Sequence, residues 1–175
     1  DPAVRVGGPN ITVATRTDGA TTSDSEVTVG STVWYTVVVT LPEATLTGAE
    51  LELELSAGGV VALESVESVV ASDGTAVTSS VAGALGSPPS SGATVSAGSA
   101  LLDLGVLRNA DDDNGRPETL TMVVRGVVRH VDASTPARGD SVTATAEVRS
   151  ASAIGAGDVS ATATVSVLEP TVTPS

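Results

Sequence analysis

The chain has 175 residues, enough for one domain with a substantial core. Its 21 acidic and 8 basic residues give a formal net charge of −13, which disfavours a nucleic-acid partner because phosphates must be neutralised by cations. The absence of cysteine excludes disulfides and thiolate chemistry, and no run reaches the ~18 apolar residues of a membrane span.

The N-terminal residues 1–23 are predicted to be an edge strand followed by a linker. Residues 4–6 and 11–15 alternate in polarity on either side of Gly7-Gly8-Pro9, and proline is tolerated at sheet edges. We expect the folded domain to occupy residues 24–170 and residues 171–175 to be a tail or a linker to a next unit.

The most regular alternation runs from Val27 to Leu41, where every second residue except one is apolar or aromatic. A period of two predicts a strand with one buried face. Tyr35 lies on that face and is expected to fill space left by small alanines elsewhere, whereas Trp34, the only tryptophan, points away from it. The residues predicted to face inward are Val27, Val29, Val33, Tyr35, Val37, Val39 and Leu41.

The following segments also read as strands. Residues 45–56 place three glutamates on one face, which repel one another unless arginines lie opposite. Residues 60–71 are predicted to be a strand with a bulge, and residues 72–99 a long loop or weak hairpin. Further strands are predicted over 100–107, 118–130, 142–148 and 159–167. Inward-facing residues are predicted to be Ala49, Leu51, Leu53, Leu55, Leu120, Met122, Val124, Gly126, Val128, Val142, Ala144, Ala146, Val148, Val159, Ala161, Ala163, Val165 and Val167.

No segment has a helical apolar period of useful length. About eight to ten strands, each with one polar face and turn residues between them, are typical of two antiparallel sheets packed face to face. The sequence therefore predicts an all-β fold, an immunoglobulin-like antiparallel β-sandwich.

Five segments, in this order, resemble the immunoglobulin-like repeat called domain of unknown function eleven. The resemblance covers roughly residues 24 to 170. It is carried by EVTVGSTVWYTVVVT (26–40), LDLG (102–105), ETLTMVVRGVV (118–128), RGDSVTATAEV (138–148) and ATATVSVLEP (161–170).

This resemblance implies an extracellular sandwich that serves as a spacer or shaft unit, one of several in tandem in a large cell-surface protein. The Asn-Gly turn expected after the first segment is replaced by Leu41-Pro42-Glu43-Ala44. Related pilin modules form lysine–asparagine cross-links, and that chemistry is excluded here because the chain has no lysine.

An acidic turn after residue 107 is the best candidate for a metal site. Asn109, Asp111, Asp112 and Asp113 supply oxygen atoms of the kind that calcium takes as ligands. The spacing is not that of an EF-hand, since the glycine comes one place late and the distal glutamate is missing. Calcium is the one cofactor the sequence suggests, and none is required; a solvated turn is the alternative.

Several residues are candidate glycan acceptors. Asn10-Ile11-Thr12 is an N-linked sequon if the chain passes through a glycosylating pathway, although it also reads as ordinary edge-strand sequence. Ser/Thr/Pro composition indicates O-linked attachment at Ser87, Ser90, Ser91 and Thr173.

Enzymatic chemistry finds little support. The single histidine, His130, ends a predicted strand, and no G-x-S-x-G nucleophile motif or phosphate-binding glycine loop is present. We therefore expect a protein that is not an enzyme.

Trp34 is the candidate interface residue. An exposed indole on a strand is packed by a loop, covered by an adjoining subunit, or used as a stacking platform for sugar.

These observations predict a non-catalytic structural repeat or subunit of an extracellular appendage, filament or cell-wall layer, located outside the cell or on its surface. Its expected partners are copies of itself or adjacent repeats in an assembly, and glycans, attached or bound. The alternative is an adhesin or carbohydrate-binding module of a cell-surface protein.

Overall fold

The computed structural model describes residues 9–18, 25–56, 60–110, 117–129, 141–151 and 159–168. These residues contain eleven β-strands and no helix, so the predicted all-β fold is confirmed. The strands are β1 (Asn10–Thr17), β2 (Glu26–Val27), β3 (Thr32–Thr40), β4 (Thr45–Leu55), β5 (Val61–Ala71), β6 (Val77–Ser79), β7 (Ala93–Val95), β8 (Ser99–Asn109), β9 (Thr119–Val128), β10 (Ser141–Arg149) and β11 (Val159–Val167).

The strands form two sheets that share one apolar core. The smaller sheet has the order β1-β3-β9-β5, and the larger has the order β2-β11-β10-β4-β8-β6, with β7 also paired to β8. The described pairs are antiparallel except β2 with β11. Inward side chains of both sheets belong to a single buried cluster, as an immunoglobulin-like β-sandwich requires.

The predicted strand from Val27 to Leu41 is two strands in different sheets. Glu26–Val27 pairs with β11 in the larger sheet, whereas Thr32–Thr40 lies between β1 and β9 in the smaller one. The chain changes sheets at Gly30, which has a φ of +88° and donates its N–H to the carbonyl of Val128 at 2.9 Å. The prediction that Val29 faces the core is wrong, because Val29 lies in this turn and is 39% exposed.

The inward faces of the central strands are as predicted. Every second residue of β9 and β10 is buried, and Tyr35 is buried in the same core as Ala144 and Ala146. The first half of β11 differs, since Ala161 and Ala163 are only half-buried. Among the described residues β11 has a second neighbour, β2, only at Ser166 and Val167.

Strand β5 contains the predicted irregularity twice. The register with β9 shifts between Leu63 and Ser65 and again between Val66 and Ser68, which leaves Glu64 and Glu67 as the extra residues. The segment predicted as a long loop or weak hairpin supplies β6 and β7, which both pair with β8.

Candidate interaction surfaces

Trp34 points outward from the smaller sheet, as predicted, and its indole is half-buried. In the strand register it lies between Arg16 of β1 and Arg125 of β9. The guanidinium carbon of Arg16 is 4.4 Å from the centroid of the indole ring. This cation–π contact is worth about 0.5–1 kcal/mol at exposed sites, so one face of the indole is already occupied within the chain.

The first bulge of β5 brings a carboxylate to the same end of the sheet. Glu64 accepts a hydrogen bond from Arg125 Nη1 at 2.6 Å and lies 3.6 Å from Arg129 Nη2. We call Arg16, Trp34, Glu64, Arg125 and Arg129 the arginine–tryptophan patch. The patch contains three guanidinium groups and one carboxylate, which pairs with Arg125 and Arg129, so it is locally positive in a chain whose net charge is −13.

The outer side of the larger sheet is acidic. We define the acidic face by the five carboxylate residues Glu50, Glu52, Glu54, Asp103 and Glu147. Glu50 of β4 lies opposite Asp103 of β8, and Glu52 lies opposite Glu147 of β10. Like charges placed directly opposite each other destabilise a sheet.

Arg149 relieves part of this repulsion. Its Nη1 is 2.6 Å from Glu52 Oε2, and its Nη2 donates to Glu147 Oε2 at 2.6 Å. The hydrogen bond to Glu147 and the negative charge of Glu52 raise the pKa of Arg149. Arg149 also lies opposite Glu50 in the register, so an arginine does face the glutamates of β4.

The predicted calcium ligands fall mostly outside the described residues, because only Asn109 is within them. Asn109 is buried at the end of β8, and its Nδ2 donates to the carbonyl of Leu41 at 3.4 Å and to Glu118 Oε2 at 3.3 Å. Within the described ranges there is no cluster of three or more histidine, aspartate or glutamate side chains that could hold a metal ion. A calcium site with Asp111, Asp112 and Asp113 stays a prediction.

Four of the five predicted glycan acceptors are described and exposed. Asn10 begins β1, and Thr12 of the same sequon is exposed on the same outer face. Ser87, Ser90 and Ser91 are exposed in the segment between β6 and β7. Thr173 and His130 lie outside the described residues, and glycosylation stays a prediction.

Sequence reasoning identified Trp34 and the glutamates of β4 but not the arginines that accompany them. The alternation of β9 does put Arg125 on the outer face. Only the pairing of β1 with β3 shows that Arg16 faces Trp34, and only the bulge shows that Glu64 reaches Arg125. The signal lies in strand register, which one sequence does not specify for distant strands.

Comparison with known proteins reveals similarity of fold. No family model and no curated protein matches the chain. BcpA, the major pilin subunit of Bacillus cereus, is similar with a TM-score of 0.51 and 10% identity over 91% of this chain and 40% of BcpA. The pilus backbone RrgB of Streptococcus pneumoniae has a TM-score of 0.49 and 15% identity over 82% of this chain and 31% of RrgB.

A type I cohesin of Pseudobacteroides cellulosolvens has a TM-score of 0.45 and 12% identity over 95% of each chain. Of the two pilus subunits, BcpA and RrgB, this chain spans less than half the length. At 10% identity, the likeness to BcpA establishes the fold, an immunoglobulin-like β-sandwich of the kind found in a pilin. No helix in the described part of the chain is long and apolar enough to span a membrane.

Proposed function

We propose that the chain is a non-catalytic structural repeat or subunit of an extracellular appendage, filament or cell-wall layer. The observation that carries this proposal is the shared fold with a major pilin subunit over 91% of the chain. The order of sequence segments that resembles domain of unknown function eleven supports a more specific proposal, a unit used in tandem in a surface protein.

Trp34 is the residue we assign to contact with an adjacent copy or repeat. Its indole is half-buried although it points out of the sheet, and an arginine already packs on one of its faces. Indole and guanidinium groups are enriched where protein interfaces bury their central residues. An adjoining subunit that covered this pair would complete the burial of the indole.

The alternative function, an adhesin or carbohydrate-binding module, would use Trp34 as a stacking platform. A sugar that stacked on the face occupied by Arg16 would first have to displace the guanidinium. That displacement costs the cation–π contact, which favours the structural role over the sugar-binding one.

Substitution of Trp34 tests the proposal. We expect Trp34→Ala to abolish ordered polymers in electron micrographs of the protein while the melting temperature of the monomer falls by only a few degrees, because the indole lies outside the core. Thr36→Ala, the next outward position on β3, is the matched control and should leave polymers intact. Binding of the wild-type chain to a glycan array, lost in Trp34→Ala and without polymers, would instead establish the adhesin.

Attached glycans at Asn10 and the loop serines, and calcium at the acidic turn, are part of the same proposal. We expect enzymatic deglycosylation of the native protein to lower its intact mass. We also expect calcium to raise the melting temperature and to give heat in calorimetry. An unchanged mass removes the first expectation, and the absence of both calcium effects removes the second.

A further inference from the structure

The two outer faces of the sandwich carry opposite charge. On the smaller sheet, the arginine–tryptophan patch has three guanidinium groups and one carboxylate. On the larger sheet, the acidic face has five carboxylates, with Arg149 inside it and Arg108 exposed on the outer side of β8. Glu67 is also exposed on β5, so each face carries charges of both signs. Arginines outnumber carboxylates on the outer side of the smaller sheet, and carboxylates outnumber arginines on the outer side of the larger one.

The free charges on each face are the ones that a partner could use. Glu50 and Glu54 form no ion pair with any described residue, whereas Glu52 and Glu147 are held by Arg149. Arg16 likewise has no carboxylate partner among the described residues and rests only on Trp34.

The spacing of the charges across the strands is similar on the two faces. Arg16 and Arg125 lie on the two strands that flank β3, and Glu147 and Asp103 lie on the two strands that flank β4. Adjacent strands are about 4.8 Å apart, so across the strands both pairs are separated by about two strand spacings. Along the strands the pairs differ, because Arg16 and Arg125 both lie opposite Trp34, whereas Glu147 lies opposite Glu52 and Asp103 opposite Glu50.

We propose that the acidic face of one copy binds the arginine–tryptophan patch of a second copy. The proposal rests on the proposed structural function and specifies which surfaces meet. Because the two sheets pack against each other around one core, the acidic face and the arginine–tryptophan patch of one copy point in opposite directions. They cannot form ion pairs with each other within that copy. A contact between two different faces is heterologous, so copies stack in one direction without closing into a dimer.

A second copy fits these surfaces better than an anionic polysaccharide does. A polyanion would bind the patch but would leave Glu50 and Glu54 of the acidic face without an ion pair among the described residues. Each outer face also exposes a valine, Val70 at 51% on the smaller sheet and Val106 at 40% on the larger, and apolar contact favours a protein partner over a charged glycan.

Salt dependence alone does not test this contact. Screening weakens the attraction between the faces but also weakens the general repulsion between copies that each carry a charge of −13. Variants must therefore be compared at one ionic strength.

The experiment uses two double variants and sedimentation velocity. Glu50→Gln with Glu54→Gln removes the two glutamates of the acidic face that form no ion pair with a described residue. Arg16→Gln with Arg125→Gln removes two of the three guanidinium groups of the patch. Each double variant alone is expected to associate at least tenfold more weakly than the wild type. An equimolar mixture is expected to form dimers that grow no further, because each dimer joins one intact patch to one intact acidic face. Glu43→Gln, which removes an exposed carboxylate elsewhere, should associate as the wild type does.

Three outcomes would overturn the inference: a wild-type chain that stays monomeric, an acidic-face variant that associates like the wild type, or a mixture that gives no dimers. The proposed structural function is tested separately. If the native protein forms ordered polymers whose repeat distance equals the length of one sandwich, that function is retained even when this contact is excluded. Retention on an anionic polysaccharide column that requires Arg16 and Arg125, with no self-association, would assign the patch to a polyanion instead.

Discussion

Tyr35 combines full burial with an unsatisfied polar atom. The side chain is 0% exposed, and its hydroxyl oxygen is the one buried side-chain nitrogen or oxygen atom of the described residues without a hydrogen-bond partner. Burial raises the pKa of this hydroxyl well above its ordinary value. The ring stabilises the core through apolar contact, whereas the hydroxyl opposes folding because it gives up hydrogen bonds with water.

We expect Tyr35→Phe to raise the free energy of unfolding by about 1–3 kcal/mol, the cost of burying a hydroxyl without a partner. Tyr35→Ala, which also removes the ring, should lower it by about 3–5 kcal/mol. Urea denaturation at pH 7 measures both changes. A destabilised Tyr35→Phe would show that the hydroxyl has a partner in solution, such as a buried water molecule.

The same substitution has a consequence at high pH. Because the pKa of Tyr35 is higher in the folded than in the unfolded protein, the unfolded chain releases this proton more easily above pH ~10 and the folded state loses stability there. Tyr35→Phe removes this loss, so its advantage over the wild type should grow as the pH rises beyond ~10.

The turn that connects β5 to β6, which lie in different sheets, is held by one carboxylate. Asp73 Oδ1 accepts hydrogen bonds from the hydroxyl of Thr75 at 2.7 Å and from the N–H groups of Thr75 and Ala76 at 2.7 and 3.1 Å. These donors, with the Thr75 hydroxyl first, lower the pKa of Asp73. Aspartate in such a turn holds the backbone by copying a main-chain hydrogen bond.

We expect Asp73→Ala to lower the melting temperature at pH 7, because three donors lose their acceptor. The folded-state pKa of Asp73 is depressed, so its stabilisation is present above the ordinary pKa of 3.8 and is lost as the pH falls through the folded-state value. The gap in melting temperature between variant and wild type should therefore narrow below pH 3.8. A gap independent of pH would show that the charge of Asp73 makes no contribution.

Strand identity was predictable from the sequence where alternation was long and uninterrupted. The alternation of apolar and polar residues predicted β4, β9 and β10 with their inward residues, because a period of two leaves little choice of which face is buried. The prediction of one continuous strand from Val27 to Leu41 failed at Gly30. This glycine has a left-handed backbone conformation and turns the chain from one sheet to the other, while the alternation of valines continues on either side. The short strands β6 and β7 were not predicted, because each depends on pairing with β8 more than on its own three residues.

The candidate surfaces were predictable only in part at the scale of the whole molecule. Composition predicted an acidic protein, but not that Arg16, Arg125 and Arg129 gather on one face. That arrangement follows from sheet order, which brings together residues more than 100 positions apart in the chain, such as Arg16 and Arg125 on either side of β3. Loop lengths and turn residues in one sequence leave several sheet orders open.

The N-terminal strand offers a test of how far the cooperative unit extends. Residues 1–23 were predicted to be an edge strand followed by a linker. In the structure β1 is an edge strand of the smaller sheet, pairs with β3 along all eight of its residues and inserts Ile11, 5% exposed, into the shared core. We expect Ile11→Ala to lower the free energy of unfolding by about 2–5 kcal/mol, because it leaves a cavity in the core. Thr12→Ala, on the exposed side of the same strand, should change it by less than about 0.5 kcal/mol. Urea unfolding followed in parallel by tryptophan fluorescence and circular dichroism measures both values. If Ile11→Ala changed the free energy of unfolding as little as Thr12→Ala does, β1 would be a separable strand and the domain would begin after it. If fluorescence and circular dichroism both reported the decrease of about 2–5 kcal/mol for Ile11→Ala, the cooperative unit would include β1.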